Sequence, residues 1–248
     1  MKVDIIFLER TESTNTYAQQ LLNDSLAAEG SVIWAAEQTA GRGQGENSWH
    51  SLPGQNLTFS LVLEPLFLAP NRQFILNKAV SLGVLKTVRE VLLPGITTCI
   101  KWPNDIYASG RKIGGILIEH TIQGKLIKNS IIGIGINLNQ DEFPSSLPEA
   151  VSLKQLSGSV YDIRGMLDKT CENLAGEYAR LKTDDFHSID SDYASFLCGY
   201  GRDLEFTAGS SSFTGRIEGV DNFGRLCVLT EDGVSAKFSH GEVSQVAK

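Results

Sequence analysis

Residues 112–138 read KIGGILIEHTIQGKLIKNSIIGIGINL, and this stretch decides the fold class. Residues 112–122 and 126–138 are each long, apolar and rich in β-branched side chains, which is typical of strands. The Gly-Lys pair between them, at positions 124–125, is suited to a hairpin turn. The stretch therefore predicts two long strands that pair as a hairpin within a sheet.

Glycines interrupt both predicted strands where side chains would otherwise pack best. Gly114 and Gly115 lie in the first strand, whereas Gly133 and Gly135 share one face of the second, which Asn137 continues. A glycine weakens a strand and often marks the close approach of a ligand or of another backbone. Two interpretations stay open: tight packing of a helix on the sheet, or a flat pocket wall against which a planar ring lies.

Further strands and helices surround this hairpin. Strands are predicted at residues 3–9, 31–37, 56–63 and 97–102, and helices at residues 15–26, 71–93 and 163–181. From about residue 195, short strands separated by turn residues dominate, which is typical of a small β-barrel or sandwich. We therefore predict an α+β protein with two domains, at residues 1–197 and 198–248.

The composition is that of a globular, acidic protein. The chain has 248 residues, 42% of them hydrophobic, and a formal net charge of −7. It lacks the overall basic character that nucleic-acid or anionic-membrane binding normally needs, so we expect neither partner. The first residues, broken by Asp4, match neither a signal peptide nor a membrane span. Four widely spaced cysteines form no metal motif, and we expect a reduced, cytoplasmic protein.

The loop at residues 38–49, QTAGRGQGENSW, carries the densest motif of the chain. Its one cation, Arg42, is surrounded by three glycines: Gly41, Gly43 and Gly45. Glycine lets backbone N–H groups approach a ligand, and arginine makes bidentate bonds to a carboxylate or phosphate. Glu46 stands where a dinucleotide-binding fingerprint needs glycine, and the Walker motif is absent. The loop predicts closure over a small anion, with a flexible surface loop as the alternative.

Two polar clusters lie at the ends of predicted elements. The sequence KWPND (101–105) places a cation, an amide and a carboxylate together after a strand: Lys101, Asn104 and Asp105. Ser13, Thr14 and Asn15 begin the first predicted helix. Element ends are usual places for site residues. A simple turn also explains the first cluster, and helix capping also explains the second.

The order of these motifs resembles the biotin–protein ligase family. The motifs are STN (13–15), QTAGRG (38–43) with a downstream Trp, KWPND (101–105), RKIGGILIE (111–119) and GIGIN (133–137). The resemblance runs through most of residues 13–139, and the β-rich tail is similar to that family's small SH3-like C-terminal domain. The resemblance implies a mixed-sheet catalytic domain related to class II aminoacyl-tRNA synthetases.

The resemblance also implies a two-step reaction. Biotin and Mg·ATP give biotinyl-5′-AMP and pyrophosphate, and a lysine of a biotin carboxyl carrier protein then takes the biotinyl group as an amide. The implied cofactors are ATP and Mg²⁺, with no metal site fixed by the protein alone. The oligomeric state stays open, with a homodimer as one option.

Three residues are expected to act in catalysis: Arg42, Lys112 and Asp105. The two cations can hold the carboxylate and the α-phosphate together. Asp105 can orient the acceptor lysine and accept its proton, although it could instead fix the turn or help to hold Mg²⁺. The positions that match biotin contacts are Ser13, Thr14, Asn15, Gln38, Gly41, Arg42, Gly43, Gln44, Trp49, Lys112, Gly115, Leu117 and Gly133. The positions that match adenylate contacts are Arg42, Lys101, Asn104, Lys112 and Asn137.

The chain departs from the family pattern in two places. The family loop often reads GRGRxGRxW, whereas here Gln44 replaces an arginine, Glu46 a glycine and Asn47 a basic residue. Lost cations predict a looser hold on the adenylate. Only twelve residues precede Ser13, so we expect no helix-turn-helix domain and no operator binding.

Two other functions compete with this interpretation. A lipoate–protein ligase or octanoyltransferase of the same superfamily is the rival enzyme, and KWPND with the GRG…W loop favours biotin. A non-catalytic biotin- or nucleotide-binding module is the rival outside enzymes, and it predicts stabilisation by ligand without turnover.

Overall fold

The computed structural model describes residues 2–246, which form two sheets and five α-helices. The first sheet contains β1 (Asp4–Thr11), β2 (Ser31–Gln38), β3 (Leu57–Leu63), β4 (Thr98–Lys101), β5 (Asp105–Ala108), β6 (Arg111–Gln123) and β7 (Leu126–Ile136). The helices are α1 (Thr14–Asn23), α2 (Gln73–Val91), α3 (Leu153–Ser157), α4 (Ile163–Lys182) and α5 (Phe186–Phe196). The second sheet contains β8 (Asp203–Ala208), β9 (Ser211–Val220), β10 (Leu226–Thr230), β11 (Ser235–Phe238) and β12 (Ser244–Gln245).

The first sheet is mixed and has the spatial order β1-β2-β3-β7-β6-β5-β4. Strands β1 and β2 pair in parallel, and each other neighbouring pair is antiparallel. The predicted hairpin is β6–β7, and Gly124 takes the positive φ of 64° that its turn requires. The α+β class and the mixed sheet are therefore confirmed.

The two faces of this sheet pack differently. Helices α2 and α4 cover one face, where alternate β3 residues such as Phe59 and Leu61 join the main core. Helix α1 covers part of the other face, where Ala18 packs with Val62 and Ile131 in a smaller core. Because strand side chains alternate between faces, Gly133 and Gly135 share the α1 face with Ile131. The rest of that face is open to form a site.

The strand register places small residues side by side on the α1 face. Two neighbouring rows cross the strands: Thr58, Gly135, Gly115 and Asp105 in one, and Ser60, Gly133 and Leu117 in the other. The rows contain three glycines next to one another, so the backbone itself is the surface. Both interpretations of these glycines apply: a Cβ on Gly133 would overlap Asn15 of α1, so helix packing requires glycine there, whereas a Cβ on Gly115 or Gly135 would meet the Trp49 ring.

The C-terminal strands form one antiparallel sheet of order β11-β10-β9-β8-β12, which agrees with the prediction of a small β domain. It packs against the first part of the chain through Lys78 of α2. This ammonium, buried to 2% exposure, donates to Asp190 at 2.7 Å and to the carbonyl of Val220 at 2.5 Å. A buried charge needs such partners, so the contact fixes how α2, α5 and β9 meet.

The prediction of fully reduced cysteines is wrong for one pair. Cys99 in β4 and Cys198, just after α5, form a disulfide across a sequence separation of 99 residues. The sequence gives no indication of this pair, because only the folded chain brings the two Cα atoms to 5.0 Å from each other. Cys171 and Cys227 are free thiols, and burial raises the pKa of Cys171 to about 12. A cytoplasmic location stays a prediction.

The remaining differences between the observed and the predicted secondary structure concern three elements and one helix end. Strand β5 and helices α3 and α5 were not predicted, and α1 ends at Asn23 rather than near Leu26. Within residues 2–246, none of the helices combines the length and the apolar character that crossing a bilayer requires.

Candidate functional site

A cavity of about 520 Å³ lies on the α1 face of the first sheet. Its floor is the row of glycines, and its walls come from the start of α1, the loop after β2, strand β5 and residues 146–150. All of the predicted site residues line this cavity except Gly41 and Asn137. The structure therefore brings together motifs that are up to about 120 positions apart in the sequence.

The glycine-rich loop folds back over the cavity as a narrow ribbon. The Trp49 amide donates to the Gly41 carbonyl at 2.9 Å, and the Gly43 amide donates to the Asn47 carbonyl at 2.7 Å. Gly41 thus closes the base of the ribbon, where an added Cβ would lie 2.6 Å from the Trp49 carbonyl oxygen. The loop is ordered by its own backbone bonds, and it presents Arg42 and Trp49 to the site.

The planar ring on the glycine wall belongs to the chain itself. The Trp49 indole lies so close to Gly135 that any Cβ there would overlap it, and a Cβ on Gly115 would lie 3.2 Å from the ring. Lys112 Nζ lies 5.9 Å from the centre of the same ring, a cation–π distance. Trp49 therefore forms a lid stacked on the floor, beside the lysine.

One end of the cavity is a buried network of neutral polar groups. The Ser60 hydroxyl lies 2.7 Å from Thr14 Oγ1 and 2.6 Å from Asn15 Oδ1. The Thr14 amide donates to Gln38 Oε1 at 2.8 Å, and Asn15 Nδ2 donates to Glu119 at 2.7 Å. Ser13, at the N-cap of α1, makes no side-chain capping bond and lines the cavity. Its hydroxyl is therefore available to a ligand, and the capping interpretation of Ser13 is not supported.

Three cations of the site are each matched by a carboxylate, and we call these the cavity ion pairs. Their members are Arg42 with Glu119, Lys112 with Asp105, and Lys101 with Glu149. The closest N–O distances are 2.6, 2.7 and 3.4 Å in that order. The Arg42 pair adjoins the neutral network through Glu119, and the two lysine pairs form the charged end. These groups are partly exposed, and such pairs contribute only up to about 1 kcal/mol each to stability. Their partners can therefore be exchanged at small cost.

Glu149 is held by a tyrosine as well as by a lysine. The Tyr107 hydroxyl donates to Glu149 Oε2 at 2.7 Å, and Lys101 Nζ donates to the Tyr107 oxygen at 3.0 Å. The hydrogen bond from Tyr107 keeps the pKa of Glu149 below its ordinary value. Burial, with the neighbouring Glu149, raises the pKa of Tyr107. Glu149 is therefore an anion, and Tyr107 a neutral donor, at neutral pH.

Two of the residues predicted to contact the adenylate, Asn104 and Asn137, hydrogen-bond to backbone carbonyls. The buried Asn104 donates its amide to the carbonyl of Ile116. Asn137 lies outside the cavity lining, where its Nδ2 donates to the Val151 carbonyl at 3.1 Å. Its Oδ1 is buried and has no hydrogen-bond partner among the described residues. A role for either asparagine in binding adenylate stays a prediction.

Several residues in or beside the site were not among the predicted site residues: Ser60, Tyr107, Glu119, Glu149 and His240. Glu119 was detectable, because the strand period of two puts it on the same face as Gly115 and Leu117. Tyr107 likewise shares a face with Asp105. Glu149 and His240 carry no local signal, since only the folded chain brings them to the cavity. Ser60 lies behind the lining, where it bonds to Thr14 and Asn15.

Comparison with known proteins gives the same family as the motifs. Residues 7–137 match the model of the biotin/lipoate A/B protein ligase family, and residues 201–245 match the model of the biotin protein ligase C-terminal domain. The first match covers more than half of the chain. The second begins three residues after the boundary expected at 197/198.

Curated relatives and solved structures extend the match over the whole chain. The bifunctional ligase/repressor BirA of Bacillus spizizenii is 34% identical over 242 residues, which cover 95% of this chain and 72% of that protein. The biotin–[acetyl-CoA-carboxylase] ligase of Paracoccus denitrificans is 29% identical, over 88% of this chain and 91% of that one. The biotin protein ligase of Aquifex aeolicus, solved in complex with biotin and ATP, is 27% identical with a TM-score of 0.80 over 99% of both chains.

The motifs, the mixed sheet with its antiparallel C-terminal sheet, and these matches lead to one assignment. The chain belongs to the biotin–protein ligase family, whose members are enzymes that ligate a cofactor to protein.

Proposed function

We propose that this protein is an ATP-dependent biotin–protein ligase that works in two steps. It joins biotin to AMP, with release of pyrophosphate, and it then transfers the biotinyl group to a lysine of a biotin carboxyl carrier domain. Residues 1–197 form the catalytic domain in this proposal, and residues 198–248 the second domain. The observation that carries it is the placement of two cations, Arg42 and Lys112, over one glycine-walled cavity.

The neutral end of the cavity suits the ring system of biotin. A ureido group has one carbonyl acceptor and two N–H donors, and hydroxyl and amide side chains complement these. Ser13, Thr14 and Asn15 are buried there, at 4%, 3% and 3% exposure. Leu117 lines this end and offers apolar contact to the ring system, and the Trp49 indole, which lies on Gly115 and Gly135, excludes water beside it.

The charged end suits the first chemical step. In that step the biotin carboxylate attacks the α-phosphate of ATP, and the new C–O–P bond forms as pyrophosphate leaves. Two anions must come into contact, and Lys112 with Arg42 can offset their repulsion. Entry of the ligands exchanges the internal carboxylates Asp105 and Glu119 for the carboxylate and phosphate of the substrates. Lys101 is placed to hold the remaining phosphates.

Magnesium enters this proposal together with the nucleotide. Mg²⁺ prefers oxygen ligands and usually binds through one or two carboxylates and the substrate phosphates. Residues 2–246 contain no group of three acidic, histidine or cysteine side chains that could hold a metal ion by themselves. Asp105 and Asn137, whose Oδ1 has no hydrogen-bond partner among the described residues, are the candidate oxygen ligands within the motifs. Bound Mg²⁺ would neutralise phosphate charge there.

The proposal is tested by mass spectrometry of an acceptor. The protein is incubated with a biotin carboxyl carrier domain, ATP, Mg²⁺ and either biotin, lipoate or octanoate. We expect one biotinyl group on one lysine, in the biotin arm. Modification with lipoate or octanoate instead would favour the rival enzyme, and ligand-induced stabilisation without modification or pyrophosphate release would favour a non-catalytic module.

Substitution Gly133→Ala should weaken biotin binding about tenfold or more. A Cβ on Gly133 would overlap Asn15 Oδ1, so Asn15 must move and break its bonds to Ser60 and Glu119. A lost hydrogen bond that leaves a buried partner unsatisfied costs about 1–3 kcal/mol. Titration calorimetry with biotin measures the change. Gly176→Ala in α4 is the matched control, because a Cβ there meets nothing within 4 Å; equal affinities in both variants would contradict the proposal for Asn15.

Substitution Gln44→Arg should slow the release of the adenylate. Gln44 lines the cavity at a position where the family often has arginine. An added charged hydrogen bond to phosphate is worth about 1.5–3 kcal/mol, so release should slow roughly tenfold or more. The rate is measured by trapping free biotinyl-5′-AMP in the absence of an acceptor. Gln123→Arg, on the distant hairpin, controls for the added charge. If Gln44→Arg releases the adenylate at the wild-type rate, the loss of an arginine at position 44 does not weaken adenylate retention.

A further inference from the structure

The segment Cys99–Pro103 is attached to the C-terminal part of the chain at nearly every residue. Cys99 forms the disulfide to Cys198, and the carbonyl of Ile100 accepts the Cys198 amide at 2.9 Å. The indole N–H of Trp102 donates to the Gly224 carbonyl at 2.9 Å. Lys101 lines the cavity, as do parts of Trp102 and Pro103. The segment is therefore held from one side and presents its lysine on the other.

The next contact in the segment comes from a fully buried tyrosine. Tyr193 of α5 is 0% exposed, and its hydroxyl donates to the Pro103 carbonyl at 2.8 Å. A buried hydroxyl without this acceptor would cost about 1–3 kcal/mol. Asn104 and Asp105 follow immediately in the chain. The bond to Pro103 thus fixes the backbone directly before two residues of the nucleotide end.

The acceptor of the Trp102 bond is itself rigid. Gly224 has φ 83°, and an added Cβ would lie 2.5 Å from the Phe74 ring, so both the conformation and the space at this position require glycine. The turn is braced by Asp221, which accepts from Arg225 Nη2 at 2.7 Å and from the Phe223 amide at 2.9 Å. The turn 221–225 therefore offers a fixed carbonyl to Trp102.

We propose that Trp102 is a positioning residue, through which the turn 221–225 of the C-terminal domain holds residues 101–105 in the geometry that the nucleotide end needs. The proposal rests on the proposed function, since it concerns the adenylate-forming site. It gives the C-terminal domain a defined part in the first step, exerted through the position of residues 101–105.

The proposal predicts an effect on one end of the cavity only. The hydrogen bonds of the neutral end join α1, β2, β3 and β6, and among residues 2–246 none of them involves a partner beyond residue 197. Loosening Trp102 should therefore change ATP kinetics and leave biotin affinity as it is. General destabilisation of the fold would change both.

The test is substitution Trp102→Phe, which keeps an aromatic ring and removes the N–H donor. We expect the rate of biotin-dependent pyrophosphate release to fall roughly 3- to 10-fold, the ordinary effect of one hydrogen bond, with the KM for ATP raised and the KM for biotin unchanged. Tyr193→Phe should act in the same direction. Trp34→Phe is the matched control, because the Trp34 indole N–H has no hydrogen-bond partner in the described structure.

Hydrogen exchange gives a second measurement that does not depend on activity. Amides at residues 101–105 should exchange faster in Trp102→Phe than in wild type or Trp34→Phe, with exchange in β7 unchanged. Unchanged ATP kinetics and unchanged exchange in Trp102→Phe would overturn the proposal, as would an equal rise in both KM values. If the wild type releases no pyrophosphate with biotin, the proposed function fails, and the exchange data alone then decide whether Trp102 holds the segment.

Discussion

Substitution Lys112→Ala should reduce the rate of biotin-dependent pyrophosphate release about 10²- to 10³-fold, the cost of removing one preorganised charge-stabilising donor. Lys112 Nζ lies 2.7 Å from Asp105 Oδ2 and beside the Trp49 ring. It is therefore at the boundary between the neutral and charged ends, where carboxylate and α-phosphate would meet. Its loss also leaves Asp105 as an unpaired carboxylate that repels phosphate. Steady-state pyrophosphate release at saturating ATP measures the effect.

Two further variants separate the contributions of Lys112. Lys125→Ala, at the exposed turn of the same hairpin, should retain wild-type activity. If the loss arises only because Asp105 is left unpaired, the double variant Lys112→Ala/Asp105→Ala should recover activity, as a double-mutant cycle would reveal. We expect no recovery. Recovery to near the wild-type rate would exclude a direct role of Lys112.

Substitution Asp105→Asn should slow biotinyl transfer from preformed adenylate roughly 10²-fold or more, while adenylate formation falls by a smaller factor. The acceptor lysine, with an unperturbed pKa of about 10.4, is almost entirely protonated at neutral pH. A carboxylate that orients it and takes its proton commonly contributes about 10²- to 10⁴-fold. Single-turnover transfer to the carrier domain, with isolated biotinyl-5′-AMP as substrate, measures this step alone.

The competing role of Asp105 is to hold Lys112, and it predicts a different pattern. In that case both steps should fall by the same factor. Hydroxylamine, which is neutral at pH 7, provides a second discrimination, because its attack on the adenylate needs no proton acceptor to start and should be less sensitive to Asp105→Asn. Asp141→Asn is the matched control, since Asp141 also forms a carboxylate–lysine pair, with Lys154 at 2.6 Å, but outside the cavity.

The long elements of the fold were predictable because their side chains repeat with a clear period. Strand β3 alternates Leu57, Phe59 and Leu61 toward one core, and β6 and β7 are long and rich in isoleucine. Strand β5 was not predictable, since its four residues follow a turn and are too few for a clear period, although they pair with both β4 and β6. Helix α5 is largely polar and buries just Ile189 and Tyr193, so its pattern gives little helical signal.

The motifs of the site were predictable, and most of their contacts were not. The sequence places Arg42, Lys101 and Lys112 in three motifs that one fold must bring together. Their carboxylate partners depend on strand register and loop path, which no local pattern encodes. Glu149 lies 48 positions from Lys101 in the chain, and Trp49 reaches the glycine wall through a loop whose glycines suggested an external ligand instead. The disulfide between Cys99 and Cys198 was not predictable either, because its two cysteines are also far apart in the sequence.

The cavity ion pairs balance three cations with three carboxylates, in a chain whose net charge is −7. An unmatched cationic cleft attracts anions over a Debye length, and its association rate falls as salt is added. Here the carboxylates of the ion pairs cancel that long-range attraction, so anionic substrates arrive by diffusion alone. They gain affinity only after entry, when they replace these carboxylates as partners of the cations. Small inorganic anions bring charge but too few contacts to displace a carboxylate already in place. The resting site therefore discriminates against them before any substrate has bound.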